Sequence, residues 1–399
     1  MTVERRWEPR PDPEEVGEDA ALVAAIRDEI QRDGPITFAR FMERALYDPG
    51  HGYYRRPDPA PGRSGDFLTA PEAHPIFGAA IGRLLEEVWD AFGRPEPFTV
   101  TEHGAGTGAL AEGLLTGLAR TASPLANAVR YHPVELERSR LPVLRERLAL
   151  ARVADALVDD AGDTASAGGT GAVLANEVLD ALPVHRVVGR RDGLRELLVT
   201  TVVDGGFAWI ETEASTPELQ ARLAAEGVEL AEGEVTEICL ALDPWLGAAT
   251  RDLARGVVVL VDYAAEPRDL HGAAHPTGTL RSFARHAVGA DPLRHVGRQD
   301  LTATVDLAAL RAAAAAAGLD PIGETTQAEL LANVGSATLT DAWLRAPGAT
   351  LQDALDLRSA LARLMDPRGM GGFRVLVFGR GLGSDRELPA LRRLRPRGA

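Results

Sequence analysis

The sequence predicts an α/β chain, a mostly parallel doubly wound sheet preceded by a helical region and interrupted by inserted antiparallel strands. Three observations carry that expectation. From residue 96 onward, short apolar runs (FTVTEH, ANAVRYHPVE, GAVLANE, GVVVLVDYA) alternate with helix-period segments such as those beginning at Ala109 and Arg140. The run at 257–261 is apolar at every position, so both of its faces must be covered, as in a parallel sheet between helices. At 100–115, VTEHGAGTGALAEGLL passes from an apolar run through Gly104, Gly106 and Gly108 into helical period, which reads as strand, turn and helix.

Taken in order, residues 1–20 mix acids with proline around no apolar stretch and read as a flexible tail, neither a signal peptide nor a transit peptide. Residues 21–95 read as an N-terminal helical cap or lid. In TFARFMERAL, residues Phe38, Phe41, Met42, Ala45 and Leu46 share one helix face, with Thr37 as N-cap and Pro49-Gly50 as stop. A second helix over 75–92 presents Phe77, Ile81, Leu84, Leu85, Val88 and Trp89. The core then spans 96–385 and ends with the strand in GFRVLVFGRG. Two segments interrupt it. Around 184–250, period-2 stretches separated by Asp-Gly and Gly-Gly predict antiparallel strands, and 265–306 is long, polar and without period, the mark of a functional loop. The alanine run at 312–317 is strong helix propensity.

Composition narrows the function classes. The chain has 399 residues, 45% hydrophobic and 25% charged, as an ordinary globular protein does. Its formal charge of -15 argues against nucleic-acid binding and mildly favours cationic substrates. All 43 basic residues are arginine, which reads as codon bias of a bacterial, high-GC genome. A single cysteine, Cys239, in helical-looking surroundings excludes an intramolecular disulfide and points to a reducing cytoplasm, with the thiol packed in the core. No Cys/His spacing suggests a metal, and no apolar run approaches the ~18 residues of a membrane span, so no membrane insertion is expected. Oligomeric state is not legible.

The glycine turn fits two cofactors. Gly104, Gly106 and Ala109 satisfy G-x-G-x-x-G/A, the dinucleotide fingerprint, while Glu102, Gly104, Gly106 and Gly108 satisfy E-x-G-x-G-x-G, the turn used for S-adenosylmethionine (SAM). A pyrophosphate is repelled by a carboxylate at Glu102, whereas an ammonium is attracted, so the neighbour favours SAM. Ligands in such sheets sit beyond the carboxyl ends of the strands, which here bring Glu102, Glu135, Asn176, Glu177 and Asp262 together. Glu135 can accept from ribose hydroxyls with either cofactor. Glu177 and Asp180, at i and i+3 in NEVLD, are candidates for holding a cationic acceptor, with an N-cap role as the alternative for Asp180.

Seven ordered blocks carry a resemblance: GPITFARFMERALYDPGHGYY, GDFLTAPEAHPIFGAAIGRLLEEVW, EHGAGTGAL, LANEVLDALPVHR, VDYAAEP, GTLRSFARH and QDLTATVD. In this order they resemble the MidA-like class I SAM-dependent methyltransferases, a family that includes a mitochondrial protein arginine methyltransferase that is an assembly factor for respiratory complex I. The resemblance implies a Rossmann-like class I methyltransferase sheet with bound SAM, and methylation of an arginine on a partner protein, a respiratory-complex subunit among the candidates. It also implies roles by position. Gly104, Ala105 and Gly106 would pass under the methionine and ribose, Glu102 would support the turn and the ammonium, and Glu135 would take the ribose. Asn176 and Glu177 would line the mouth of the cleft. Asp66, Phe67 and Thr69 would form a lid, with His286 and Asp300 in the cleft wall. The turn reads GAGTG where the mitochondrial type resembles GPGRG, so a bacterial member with its own substrate is expected. An acceptor other than arginine, or SAM binding without turnover in an assembly factor, are the alternatives.

Overall fold

Alternating apolar positions settle the central sheet. A computed structural model describes residues 16–56, 68–158, 169–203, 205–284, 287–289 (backbone), 291–383 and 387–393. Six strands form the sheet: β1 (Phe98–His103), β2 (Val129–Val134), β3 (Thr170–Asn176), β4 (Arg255–Asp262), β5 (Asp320–Thr326) and β6 (Arg374–Arg380). Their order is β5-β6-β4-β3-β1-β2. β2, β1, β3 and β4 are mutually parallel, and β6 runs antiparallel to both β4 and β5. Along β4 the side chains divide by parity. Val257, Val259 and Val261 join one buried cluster and Val258 and Leu260 another, so the continuous apolar run fills two cores at once.

Helices cover both faces. Asp19 caps α1 (Ala20–Asp33), and Thr37 caps α2 (Phe38–Tyr47) by accepting from the Arg40 amide at 3.1 Å. Further on come α3 (Ile76–Ala91), α4 (Ala109–Arg120), α5 (Arg140–Leu150), α6 (Pro217–Ala225) and α7 (Leu307–Ala316). The expected cap at 21–95 divides between two cores. The apolar face of α2 and residues Leu22 and Ile26 of α1 pack with Val184, Val199 and Leu301 of the inserted regions. In contrast, α3 belongs to the main core. Its approach to α4 is so close that a Cβ on Gly78 would meet the Leu114 amide nitrogen at 2.6 Å and one on Gly117 would meet Ala79 Cβ at 2.5 Å. The small residues that allow this contact leave no mark in hydrophobic period, so sequence alone groups α3 with α2, whereas the structure packs it on α4. Of the expected tail, 1–15 lies outside the described residues, and Asp19 is already the helix cap.

The first insertion is an antiparallel sheet of His185–Arg190, Gly193–Thr201, Phe207–Glu213 and Val235–Ile238, joined at its edge by Ile36–Thr37, with α6 against it. The second is not a plain loop. Arg281–Ala284, Ala287–Gly289 and Asp300–Thr302 form a small antiparallel sheet, each strand too short to show alternation in sequence. Cys239 sits between a strand and a helix, half-buried, its thiol donating to the Pro183 carbonyl at 3.6 Å; burial pushes it up to about 12. No described helix is long and apolar enough to cross a membrane.

Candidate active site

The carboxyl ends of β1, β2, β3 and β4 face one side of the molecule, and the chain between β1 and α4 turns there. Gly104, Gly106 and Gly108 all have positive φ (71°, 52° and 84°), backbone that an L side chain rarely adopts. The three differ in surroundings. A Cβ on Gly104 would press on Val178 at 2.8 Å and one on Gly108 on Leu144 at 2.7 Å, while one on Gly106 would meet nothing closer than 4.0 Å. Two glycines are required by packing, and the third faces an open cradle.

That cradle is a cavity of about 630 Å³, inside the ~300–1,000 Å³ range of cofactor sites. Its wall includes Glu102, Gly104, Ala105, Gly106, Glu135, Asn176 and Thr69, so every described residue expected to hold the cofactor is brought to one place. Asp66, Phe67 and His286 lie outside the described residues. Glu102 is buried and accepts from the Tyr131 hydroxyl at 2.7 Å on β2. Burial raises its pKa to about 7, the tyrosine bond opposing and Glu135 adding to the rise. Glu135 has a structural duty as well. One oxygen accepts from the Gly106 amide at 2.8 Å, the other from the Glu137 amide at 3.0 Å and from Arg140 at 3.3 Å. Part of its accepting capacity therefore already braces the turn.

A second cavity of about 480 Å³ adjoins the first, and the two share Tyr54 and Glu177. Asp180, Tyr263, Asp300 and Phe373 are in its wall. Glu177 follows β3 with φ 52°, held by its amide on the Val261 carbonyl at 2.8 Å. Its carboxylate accepts from the Ala70 amide at 3.2 Å and from the Asn176 side-chain amide at 3.0 Å. Burial, then Asp180 and Asp300, bring its pKa up to about 8 despite those bonds. Asp180 accepts from the Tyr263 hydroxyl, and burial takes it up to about 6. It caps no helix. Asp262, at the end of β4, accepts from the amides of Leu179 and Asp180 at 3.0 and 3.2 Å, which straps the acidic turn to the sheet. Among the described residues, neither Glu177 nor Asp180 is paired with an arginine or histidine.

Several residues of the site had no role in the sequence reading. Glu72, in the one-turn helix Ala70–Ala73, binds Arg147 of α5 at 3.0 and 3.2 Å and accepts from Thr107 of the glycine turn at 3.0 Å. Arg147 also reaches Glu112 at 2.7 Å, so one guanidinium ties α4, α5, the turn and the Thr69 segment together. Tyr54 donates to Asp300 at 2.8 Å and stacks on Tyr47 at 5.6 Å. Trp245 packs edge-on against His103 at 5.7 Å on the cofactor-cavity wall. Tyr47, Tyr54 and Glu72 stand inside quoted blocks, where they could have been singled out. Arg147 and Trp245 carried no signal.

A mostly parallel sheet with a glycine turn after its first strand, acids at the strand ends and a cofactor-sized cavity there define a class I SAM-dependent methyltransferase. The SAM-dependent methyltransferase family model Methyltransf_28 matches residues 80–325, and the chain belongs to that MidA-like family. A Burkholderia thailandensis structure with bound S-adenosyl-homocysteine (SAH) superposes with a TM-score of 0.84 at 35% identity, covering 96% of this chain and 97% of that one. The human mitochondrial protein arginine methyltransferase NDUFAF7 is 31% identical over 329 residues, 77% of this chain and 71% of its own length. Its mouse counterpart is 29% identical over 354 residues, 81% and 76% respectively. The protein is thus a SAM-dependent methyltransferase.

Proposed function

We propose that this enzyme methylates an arginine side chain of a partner protein, with the cofactor in the larger cavity and the guanidinium in the acidic one. The observation that carries the reading is Glu177, a half-buried acid on the wall common to both cavities, beside Asp180 and Asp300 and lacking a cationic partner among the described residues. Bound SAM supplies a methyl group already activated by its sulfonium. The residues then have three tasks: aligning the acceptor nitrogen, excluding water and balancing charge. Two unit cations ~4 Å apart repel by about 4 kcal/mol at an effective dielectric near 20, and Glu177 with Asp180 would offset this. As the N–CH₃ bond forms and the S–CH₃ bond breaks, the acceptor nitrogen releases a proton; the two bound cations favour the ionised form of Glu177, which is placed to accept it.

In this reading the backbone of Gly104, Ala105 and Gly106 runs beneath the methionine and ribose. Glu102 faces the ammonium, and the accepting capacity left on Glu135 takes a ribose hydroxyl. Asn176 and Thr69 complete the described cofactor wall. The names of the NDUFAF7 relatives support arginine as acceptor, and a respiratory-complex subunit is the first partner to try. The lone cysteine supports a reducing compartment such as the cytoplasm as the setting. Incubation with methyl-labelled SAM and a host extract tests the reading: a labelled protein band yielding methylarginine on hydrolysis is expected. Label only in small molecules would refute the protein acceptor, and no label despite SAM binding would refute turnover.

A further inference from the structure

Outside the walls of both cavities, Glu226, His271 and Asp306 converge where the first insertion meets the core, on a small cavity that meets the acceptor cavity at Thr304. Glu226 ends α6, His271 follows the turn Pro267–Leu270 beyond β4, and Asp306 caps α7. One ligating atom from each lies within 4.8 Å of the others. His271 Nε2 stands 3.1 Å from Asp306 Oδ2 and 3.5 Å from Glu226 Oε2. Ligands on a tetrahedral ion at ~2.0–2.2 Å are about 3.3 Å apart, so the spacing is that of a coordination sphere.

The outward atoms are already engaged. His271 Nδ1 is 2.6 Å from the Thr236 hydroxyl, and Asp306 Oδ1 accepts from the amides of Ala308 and Ala309 at 2.7 and 3.0 Å. Such bonds fix the ring and the carboxylate of a ligand with Nε2 and Oδ2 turned inward. Glu226 adds an independent observation. Its side chain is only 5% exposed, and neither carboxylate oxygen makes a hydrogen bond of ordinary length among the described residues, the ion-pair contact to His271 Nε2 standing at 3.5 Å. A carboxylate buried in that way is costly unless something cationic meets it. All three residues line a cavity of about 20 Å³, room for one ion or one water. Arg222 also lines it, but its guanidinium donates to Asp243 at 3.3 Å, and the Cys239 thiol donates to Pro183.

We propose that Glu226, His271 and Asp306 bind a divalent transition-metal cation of the zinc type, which ties the first insertion to the core apart from the site of methyl transfer. One imidazole and two carboxylates suit zinc better than the hard cations that take oxygen alone, and the two carboxylates balance the double charge. The rival occupant is a proton on His271. Burial opposes it, but the Asp306 and Glu226 carboxylates facing Nε2 outweigh burial and raise the imidazole to about 9.

Zinc is the probe. The full chain, stripped with a chelator, is titrated with zinc against a chromophoric indicator, gel-filtered and analysed for bound metal. One zinc retained per chain and a higher melting temperature with zinc than with chelator are expected. Glu226→Gln, which keeps the shape and removes the charge, should weaken zinc binding at least about tenfold, a floor set by what outer-shell changes cost. It should also abolish the zinc-dependent rise in melting temperature while SAH binding persists. In the wild type, cobalt(II) should give the intense visible absorption of a four-coordinate site, a reading that does not depend on any variant folding. A wild type that leaves the column without zinc and shows no such absorption would overturn the proposal. So would Glu226→Gln binding zinc as the wild type does, and the cluster would then be a protonated imidazole between two carboxylates.

Discussion

Glu177 combines three properties that seldom coincide, namely a carboxylate, a raised pKa from desolvation and a place on the wall of two cavities. Replacement by glutamine keeps the shape and removes the charge. Glu177→Gln should leave SAH affinity within about tenfold, a difference of ~1.4 kcal/mol, and lower single-turnover methyl transfer by at least ~100-fold. Calorimetry and rapid quench check the two halves, and a large loss of affinity with normal turnover at saturation would move the acceptor role to Asp180 or Asp300. The same carboxyl predicts a pH effect. Its pKa rises from 4.5 to about 8 on folding, so the folded chain binds the extra proton between those values. The associated stability is complete below the lower value and is lost as pH climbs through the upper one. Melting of the SAH-free variant relative to the wild type should therefore improve from pH 5 to pH 9, every tenfold gain in proton affinity on folding being worth about 1.4 kcal/mol. Gly106→Val, which fills the open cradle, should abolish SAH binding while circular dichroism stays native. At this scale the sequence was most informative where chemistry needs a rare residue type, as at Glu102, Glu135 and Glu177. It was silent on Arg147, because an arginine on a polar helix face looks the same whether it is solvated or tied to Glu72 and Glu112.

Among the elements, the glycine turn depends on struts that lie elsewhere in the chain. Arg147 fastens it to the segment carrying Thr69 through Glu72, and Glu135 holds the Gly106 amide. Arg147→Met keeps much of the side-chain stem and removes the fork. It should raise the SAH dissociation constant by roughly tenfold, the ~1–2 kcal/mol order of losing partly exposed charged hydrogen bonds, with turnover at saturating SAM largely retained. An unchanged dissociation constant would show that the Thr69 segment needs no tether. Legibility followed burial here too. The strands β1 to β4 and β6 were readable because their apolar runs must be covered, whereas β5, with its Pro321 and Gly323 and its exposed start, sits at the sheet edge. Such a strand gains its place from pairing with β6, and pairing leaves no period in sequence.

Over the whole molecule, the cavity pair lies between two separately packed regions. The main core holds the sheet, α3, α4 and α5, and the other holds α1, α2 and the inserted strands, with Tyr47 and Tyr54 at the boundary. Cofactor binding should stabilise the folded state by mass action, about 2.7 kcal/mol at a hundredfold excess over the dissociation constant. Hydrogen exchange should show the gain where the cavity walls are, in the Ala70–Ala73 helix, the glycine turn and the loop after β3. The outer inserted strand Phe207–Glu213 should exchange as before. Protection spread evenly over that strand would mean that the two regions open together. The division itself was hidden from sequence, since α2 and α3 have equally apolar faces and only close approach at Gly78 and Gly117 assigns α3 to the sheet.

The left-handed backbone at Glu177 sets function against endurance. A residue with a Cβ at that φ gives up about 1–2 kcal/mol that glycine or asparagine would largely recover, and desolvation of its acid adds to the cost. Repeated selection of this enzyme for heat resistance, with no demand for methyl transfer, should therefore converge on glycine or asparagine at 177. The survivors would be tougher and inert, and their gain in melting temperature would measure how much robustness the living enzyme forgoes to keep one carboxylate between its two chambers.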